Sequence, residues 1–167
     1  MRIFIVPFLV LISDQLTKFW IKSNFNPYIP TEILGKFVRI TYCENPGIAF
    51  GIQVGQFIHV VTVLSVIFTI YICYYLYSIE NEPILHKTGV ALILGGAVGN
   101  VLDRTFMVLM PSSYSGVVDF IDIGISDSLR WYIFNIADAS ITVGIVLYIL
   151  FSIQSQQMEK SLKTAEN

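Results

Sequence analysis

Four long apolar stretches divide the chain, and polar segments of unlike character separate them. Residues 3–21 are apolar until "SDQLTKFW" sets Asp14, Gln15 and Lys18 into the second half. Residues 57–79, "FIHVVTVLSVIFTIYICYYLYSI", run almost unbroken and close on tyrosines suited to a membrane interface. A third stretch spans 88–104 and ends in "GNVLDR", and a fourth spans 131–153. Each approaches the roughly 20 residues that carry a helix across a bilayer, so the pattern predicts four transmembrane helices. No small-residue cleavage site follows the first stretch, which predicts a retained helix and not a removed signal peptide.

The connections differ in kind. Residues 22–56 make a long loop rich in Pro and Gly, in which Val38, Ile40 and Tyr42 alternate with Arg39 and Thr41. That alternation predicts a strand with one apolar face. "GIAFGIQVG" after it predicts a short interfacial helix. Residues 80–87, "ENEPILHK", predict a tight polar turn, and residues 105–130 predict a second long loop with a β-like core, "GVVDFI". The last dozen residues read as a solvated tail. No internal repeat occurs, so the whole chain, 1–167, is expected to form one membrane domain. Four spans place both termini on one side and both long loops on the other. Arg2, Lys87, Lys160 and Lys163 lie on the first side, against Lys18, Lys22, Lys36, Arg39, Arg104 and Arg130 on the second. The Lys/Arg rule therefore gives no usable orientation.

Composition agrees with the pattern. Of 167 residues, 54% are hydrophobic and 13% charged, where a soluble domain carries about 25% charge. A net charge of −2 offers no basic surface, which excludes nucleic acid as a partner. Cys43 and Cys73 stand in no CxxC or metal-binding spacing and read as packing residues. His59 and His86 have no nearby Cys or second His, so neither a metal nor another cofactor is expected.

What needs explaining is the set of polar residues in and beside the apolar stretches. An ionised Asp in a membrane helix costs about 2.5–3.5 kcal/mol on insertion scales, so it needs a partner, water or a function. Asp14 and Lys18 lie one helical turn apart and can neutralise each other. Gly95 and Gly99 have the GxxxG spacing that lets another helix approach closely. One turn on, Asn100, Asp103 and Arg104 cluster, and Asn135 and Asp138 repeat the i, i+3 relation in the fourth stretch. With Asp119 of the second loop, the polar ends of three helices can meet at one depth. Two or three such groups would only glue helices together; six or seven argue for a site. No GxSxG elbow and no histidine beside a serine exist to build a triad. Two close carboxylates, by contrast, share a proton, so that one activates water while the other donates to a carbonyl. Asp119 and Asp138 are the best such pair. The residues alone leave a proton-coupled small membrane transporter open as the alternative.

Five blocks then occur in a specific order: "DQLTK", "ENPGIAFG", "GGAVGNVLDR", "GVVDFID" and "FNIADASITVG". In that order the chain resembles the lipoprotein signal peptidases, or signal peptidase II, a family of bacterial membrane aspartyl peptidases. The likeness runs from Asp14 to about Gly144. It implies a mainly α membrane protein of four transmembrane helices, with a small extracytoplasmic β-cradle and a short lid-like helix. "FVRITYC" and "IAFGIQVG" fit those two parts. It also implies catalytic roles for Asp119 and Asp138, supported by Asp14, Lys18, Asn45, Asn100, Arg104 and Asn135. Asp122 is expected to face solvent, and Asp103 to pair with Arg104 or cap its helix.

The resemblance further implies a substrate. This is a prolipoprotein whose cysteine already carries a diacylglyceryl group, cut just before that cysteine near the outer face of the bacterial cytoplasmic (inner) membrane. Termini in the cytoplasm, contact with membrane lipids, inhibition by cyclic peptides such as globomycin and action as a monomer are expected with it. One departure stands out. Family members place only a few residues between "DR" and the glycine of the next block, whereas here "TFMVLMPSSYS", residues 105–115, intervenes. It is expected either to extend the third helix or to form an exposed loop, and so to change the rim of the site and the position of Arg104.

Overall fold

The computed structural model describes residues 2–47 and 55–165. Most of the stretch expected to form the lid-like helix, residues 48–54, lies outside them. In chain order the elements are helix α1 (Ile5–Asn24), strands β1 (Thr31–Leu34) and β2 (Val38–Asn45), helices α2 (Ile58–Ser78) and α3 (Ile84–Leu109), strand β3 (Val117–Ile123) and helix α4 (Ile136–Ala165). All four helices are long and apolar enough to cross a membrane. Their outward faces carry Phe8, Phe19, Ile67, Tyr71, Val146 and Leu150, all exposed. In water such a surface would aggregate; against lipid it is the expected lining. The protein is therefore a mainly α, multi-pass membrane protein with one small sheet.

Helix boundaries differ from the sequence expectation for local reasons. Pro83 precedes α3 with an extended backbone, so the helix begins at Ile84 and the turn after α2 is shorter than predicted. The helix then runs past Arg104 to Leu109 and stops before Pro111, which cannot continue it. Residues 105–115 thus do both things expected of them. They lengthen α3, and then they turn through Met110–Ser115, where Ser113 and Tyr114 both donate to the Met110 carbonyl. The start of the fourth helix is a correction. Residues 131–134 are apolar but not helical, because Trp131 donates to the Ile123 carbonyl and Phe134 exchanges backbone hydrogen bonds with Ile121. Pairing with β3 takes the segment, and α4 begins only at Ile136. At its far end α4 continues beyond residue 153 into the predicted tail, exposed, and is helical to Ala165.

The sheet is antiparallel in the order β1-β2-β3, with a turn at Gly35, whose φ of +50° suits glycine. The alternation expected in β2 is broken by a register shift between Ile40 and Cys43. Arg39, Thr41 and Tyr42 are all buried, and Val38 and Ile40 are only partly so, which is the reverse of the expected apolar face before the shift. Arg39 tolerates burial by pairing with Glu32 at 3.1 Å and Asp127 at 2.6 Å. Asp122 is likewise corrected: it is buried, not solvent-facing. Arg130 Nε donates to it at 2.6 Å and Thr41 Oγ1 at 2.7 Å.

Helix α3 is the hub, packed against the other three helices. It approaches them through glycine. A Cβ at Gly95 would lie 2.7 Å from Val10 Cβ and 2.9 Å from Pro7 Cα of α1. One at Gly96 would overlap the carbonyl oxygen of Ala137 in α4, and one at Gly99 would lie 2.6 Å from Asp14 Oδ2. Two apolar clusters close the molecule. Ile72, Leu76, Ile79, Val90, Ala91 and Leu94 hold one end of the bundle. Ile21, Tyr42, Val118 and Phe120 join the other end to the sheet. The polar residues gather at that second end.

Candidate active site

The site forms where α1 and α3 end, α4 begins and β3 crosses. Its deepest layer is an ion cluster. Lys18 Nζ lies 2.8 Å from Asp14 Oδ2 and 2.9 Å from Asp103 Oδ2, and it donates to Asn100 Oδ1 at 3.2 Å. Asp14, Lys18 and Asp103 are all essentially inaccessible. Buried charge of this kind persists only when each group is paired and its remaining valences are met. Gln15 meets them by donating to both carboxylates at 3.1 Å. The expected Asp14–Lys18 pair is present, enlarged by Asp103. The expectation that Asp103 pairs with Arg104 or caps the helix is corrected. Neighbours in a helix point about 100° apart, so Asp103 follows Gly99 toward α1 while Arg104 turns away. Asp103 Oδ2 also accepts from Val118 N at 3.1 Å, which ties β3 to α3 one residue before Asp119.

The second layer is the start of α4. A helix leaves its first N–H groups without partners, and a side chain just before it normally supplies one. Here Asn135 Oδ1 accepts from Asp138 N at 2.9 Å, and Asp138 Oδ2 accepts from Asn135 N at 3.2 Å. The two residues form a reciprocal cap. A third N–H, that of Ala137, donates to Asp14 Oδ1 at 2.9 Å. Asp138 is therefore not in the middle of a membrane helix, as its position in the apolar stretch suggested, but in the first turn of one. Its other oxygen, Oδ1, accepts from Asn100 Nδ2 at 2.7 Å.

Asp119 comes from the sheet. Its Oδ1 accepts from Asn135 Nδ2 at 2.6 Å and its Oδ2 from Asn45 Nδ2 at 3.4 Å. Burial first, and then the negative charge of Asp138, push its carboxyl up to about 7, against the opposing pull of Lys18, Asn135 and Asn45. The thiol of Cys43, opposite Asp119 in the ladder, is pushed up to about 12 by burial and by the carboxylates around it. It is no nucleophile at neutral pH. Arg104 Nη1 donates to the Asn100 carbonyl at 3.4 Å, and its charge lies within electrostatic reach of Asp138 and Asp119. Its Nε is buried without a partner among the described residues.

All eight residues singled out from the sequence thus meet at one end of the bundle. Gln15 and Asp103 join them. Gln15 sits on the same turn as Asp14, but a neutral amide gave no signal against the charges beside it. Among the described residues no three His, Cys, Asp or Glu side chains are placed to hold a metal ion. Chemically, the arrangement offers two carboxyls linked through Asn135, whose side-chain amide donates to Asp119 and whose backbone N–H donates to Asp138, and the two differ in their surroundings. That is the equipment for moving one proton back and forth.

Comparison with known proteins places the chain among signal peptidases. Residues 6–154 match the family model described as signal peptidase (SPase) II. The "Lipoprotein signal peptidase" of Moorella thermoacetica is 35% identical over 147 residues, 88% of this chain and 89% of that protein. The protein of the same name from Polynucleobacter necessarius is 38% identical over 152 residues, covering 89% and 87%. A solved bacterial membrane enzyme superposes with a TM-score of 0.74 at 30% identity, covering 93% of this chain and 89% of that one. A second gives 0.72 at 31% identity, covering 89% and 90%.

Proposed function

The chain belongs to the signal peptidase II family, and from that premise we propose that it removes the signal peptide of prolipoproteins by aspartyl-dyad hydrolysis at Asp119 and Asp138. The observation that carries the reading is Asn135. One residue bridges both acids, its side chain donating to Asp119 and its backbone N–H to the Asp138 carboxylate, so the two carboxyls are held as a unit.

The dyad keeps one proton near neutral pH, resident first on Asp119, whose carboxyl stands at about 7. Asp138 accepts hydrogen bonds on both oxygens, from the Asn100 amide and the Asn135 N–H, which fix the orientation of its carboxyl group. It takes the proton of a water molecule as that water attacks the peptide carbonyl, and Asp119 donates to the carbonyl oxygen. Collapse of the tetrahedral intermediate sends a proton to the leaving nitrogen and returns the dyad to its starting state. Asp14, Lys18 and Asn100 hold the start of α4 and the Asp138 carboxylate in place. Arg104 supplies positive charge beside both acids, and Asn45 steadies Asp119.

The substrate is a diacylglyceryl-modified precursor, which reaches the site sideways from the bilayer and is cut just before its lipidated cysteine. Cleavage of an exported precursor puts the site at the outer face of the cytoplasmic membrane and both chain ends in the cytoplasm. Cyclic peptides of the globomycin class compete for the same place, and one copy of the chain suffices. Proton-coupled transport gains no support, because the relatives are named as peptidases. The test is cleavage of a diacylglyceryl-modified precursor by the purified protein and by its Asp138→Asn variant. Cleavage by the first and none by the folded second is the expected result. Turnover by a folded Asp138→Asn protein would end the aspartyl assignment.

A further inference from the structure

The turn after α3, within the 105–115 segment that sets this chain apart, is anchored by one side chain from 71 residues earlier. Glu44 Oε2 accepts from the backbone N–H of Ser115 at 2.5 Å and from its hydroxyl at 2.6 Å. Glu44 Oε1 accepts from the Tyr42 hydroxyl at 2.6 Å and pairs with the Lys22 ammonium of α1. Lys22 also donates to the Ser113 carbonyl at 2.6 Å and stands 4.0 Å from the centroid of the Tyr114 ring. Tyr114 in turn packs against Phe106 of α3, with ring centroids 5.3 Å apart, and onto the Ile21–Tyr42–Val118–Phe120 cluster. Burial alone would raise the Glu44 carboxyl, but the bonds from Lys22, Ser115 and Tyr42 bring it down to about 2. The anchor therefore stays charged at any ordinary pH.

Its position matters more than its strength. Glu44 is the next-to-last residue of β2, and the last, Asn45, donates to Asp119. That bond is long, at 3.4 Å, and beyond Asn45 the chain leaves the sheet. On its other side Asn45 is pressed by Gly116, where a Cβ would overlap the Asn45 backbone. The end of β2 is thus held by the 105–115 segment through Glu44 and Ser115, and by the backbone of Gly116 immediately after it.

We propose that Glu44 is a positioning residue of the hydrolytic site, through which the 105–115 segment holds the Asn45 amide on Asp119. It acts through Asn45 and not on the reacting atoms, and it rests on the peptidase reading above.

The test measures kcat and KM on diacylglyceryl-modified precursor for four proteins: the parent, Glu44→Ala, a variant with residues 105–115 shortened to a few, and the two changes combined. Detergent-resistant folding is checked by thermal unfolding. Small displacements of a supporting group lower kcat by up to ~100-fold, so Glu44→Ala is expected to lower it ~10–100-fold with KM held within about twofold. The shortened protein still cleaves, more slowly, and adding Glu44→Ala to it costs less than about threefold, because the grip is already gone. Glu44→Gln, which keeps an acceptor for Ser115, recovers part of the loss. It also carries the test if Glu44→Ala fails to fold. An unchanged kcat in a folded Glu44 variant overturns the proposal, and so does a rise in KM alone or an equal loss in the shortened background. A parent protein that leaves the precursor intact overturns the peptidase reading itself, which none of those three outcomes does.

Discussion

Asp119 accepts hydrogen bonds from two amides, yet burial and the charge of Asp138 make it bind its proton far more tightly than an exposed aspartate does. The linkage to stability has a definite sign. The carboxyl stands at about 7 in the folded protein against an ordinary value of 3.8, so the native state holds the proton better than the unfolded one. The stabilisation is fully present below pH 3.8 and is lost as the pH rises through about 7. Asp119→Asn cannot suffer that loss, since Asn stays neutral and keeps hydrogen-bonding shape. It is expected to be inactive and yet more stable than the parent at pH 8, by at most about 4 kcal/mol, with the gap closing below pH 4. Thermal unfolding in detergent at the two pH values measures it; a gap independent of pH would refute the burial argument. At this scale the sequence was informative where a charge had no excuse. Asp14, Asp119 and Asp138 lie in or beside apolar stretches and declared themselves. Asp122 did not, because its partner Arg130 lies eight residues on, across a hairpin that no periodicity in the loop announces. Asp103 was misassigned to its neighbour Arg104, when its partner Lys18 sits on another helix.

Among the elements, α3 decides how the others meet. Gly96 touches the α4 backbone at Ala137, between the capping Asn135 and Asp138. Gly95, one position earlier, touches α1 at Pro7 and Val10. Adding a methyl to a tight contact costs about 1–3 kcal/mol, so Gly95→Ala and Gly96→Ala are both expected to lower the unfolding temperature. Only Gly96→Ala moves the start of α4, and it is expected to lower the cleavage rate more than tenfold beyond Gly95→Ala, in line with the cost of small displacements of a reacting group, at most ~100-fold. Equal rates for the two variants would mean that the α3–α4 contact does not set the site. The GxxxG spacing announced close approach correctly, but a motif names no partner, and Gly96 is not one of its two glycines. The start of α4 was hidden for a related reason. Trp131–Phe134 are apolar enough for a membrane helix, and only pairing with β3, a contact made in space, removes them from it.

For the whole molecule, orientation is the property that composition describes worst. Of the six basic residues on the side of the long loops, five are engaged by acids. Lys18 meets Asp14 and Asp103, Lys22 meets Glu44, Lys36 and Arg39 meet Asp127, and Arg130 meets Asp122. A count of Lys and Arg cannot separate charges that steer insertion from charges that build a site. The long loops are expected to face outside despite the count. With Cys43 and Cys73 replaced, a membrane-impermeant thiol reagent added to intact cells should label Ser113→Cys and not Ile84→Cys. The opposite pattern would invert the topology and take the site away from exported substrates.

The pairing of Asp14 with Lys18 inside a single helical turn bears on how the protein is made. Span α1 leaves the ribosome long before α3 and α4, when Asp103 and the α4 backbone do not yet exist to receive its charges. An unpartnered ion in lipid would oppose insertion by a few kcal/mol. Because the first helix carries acid and base at i, i+4, it is expected to enter the bilayer already neutralised, and in the folded protein that pair has gained Asp103 as a third member. The last link, from Ala137 N to Asp14, closes across 123 residues. On the proposed dyad, a nascent chain whose fourth span is not yet threaded holds one acid of the two, so a half-made copy is expected to cut nothing in the membrane it is entering.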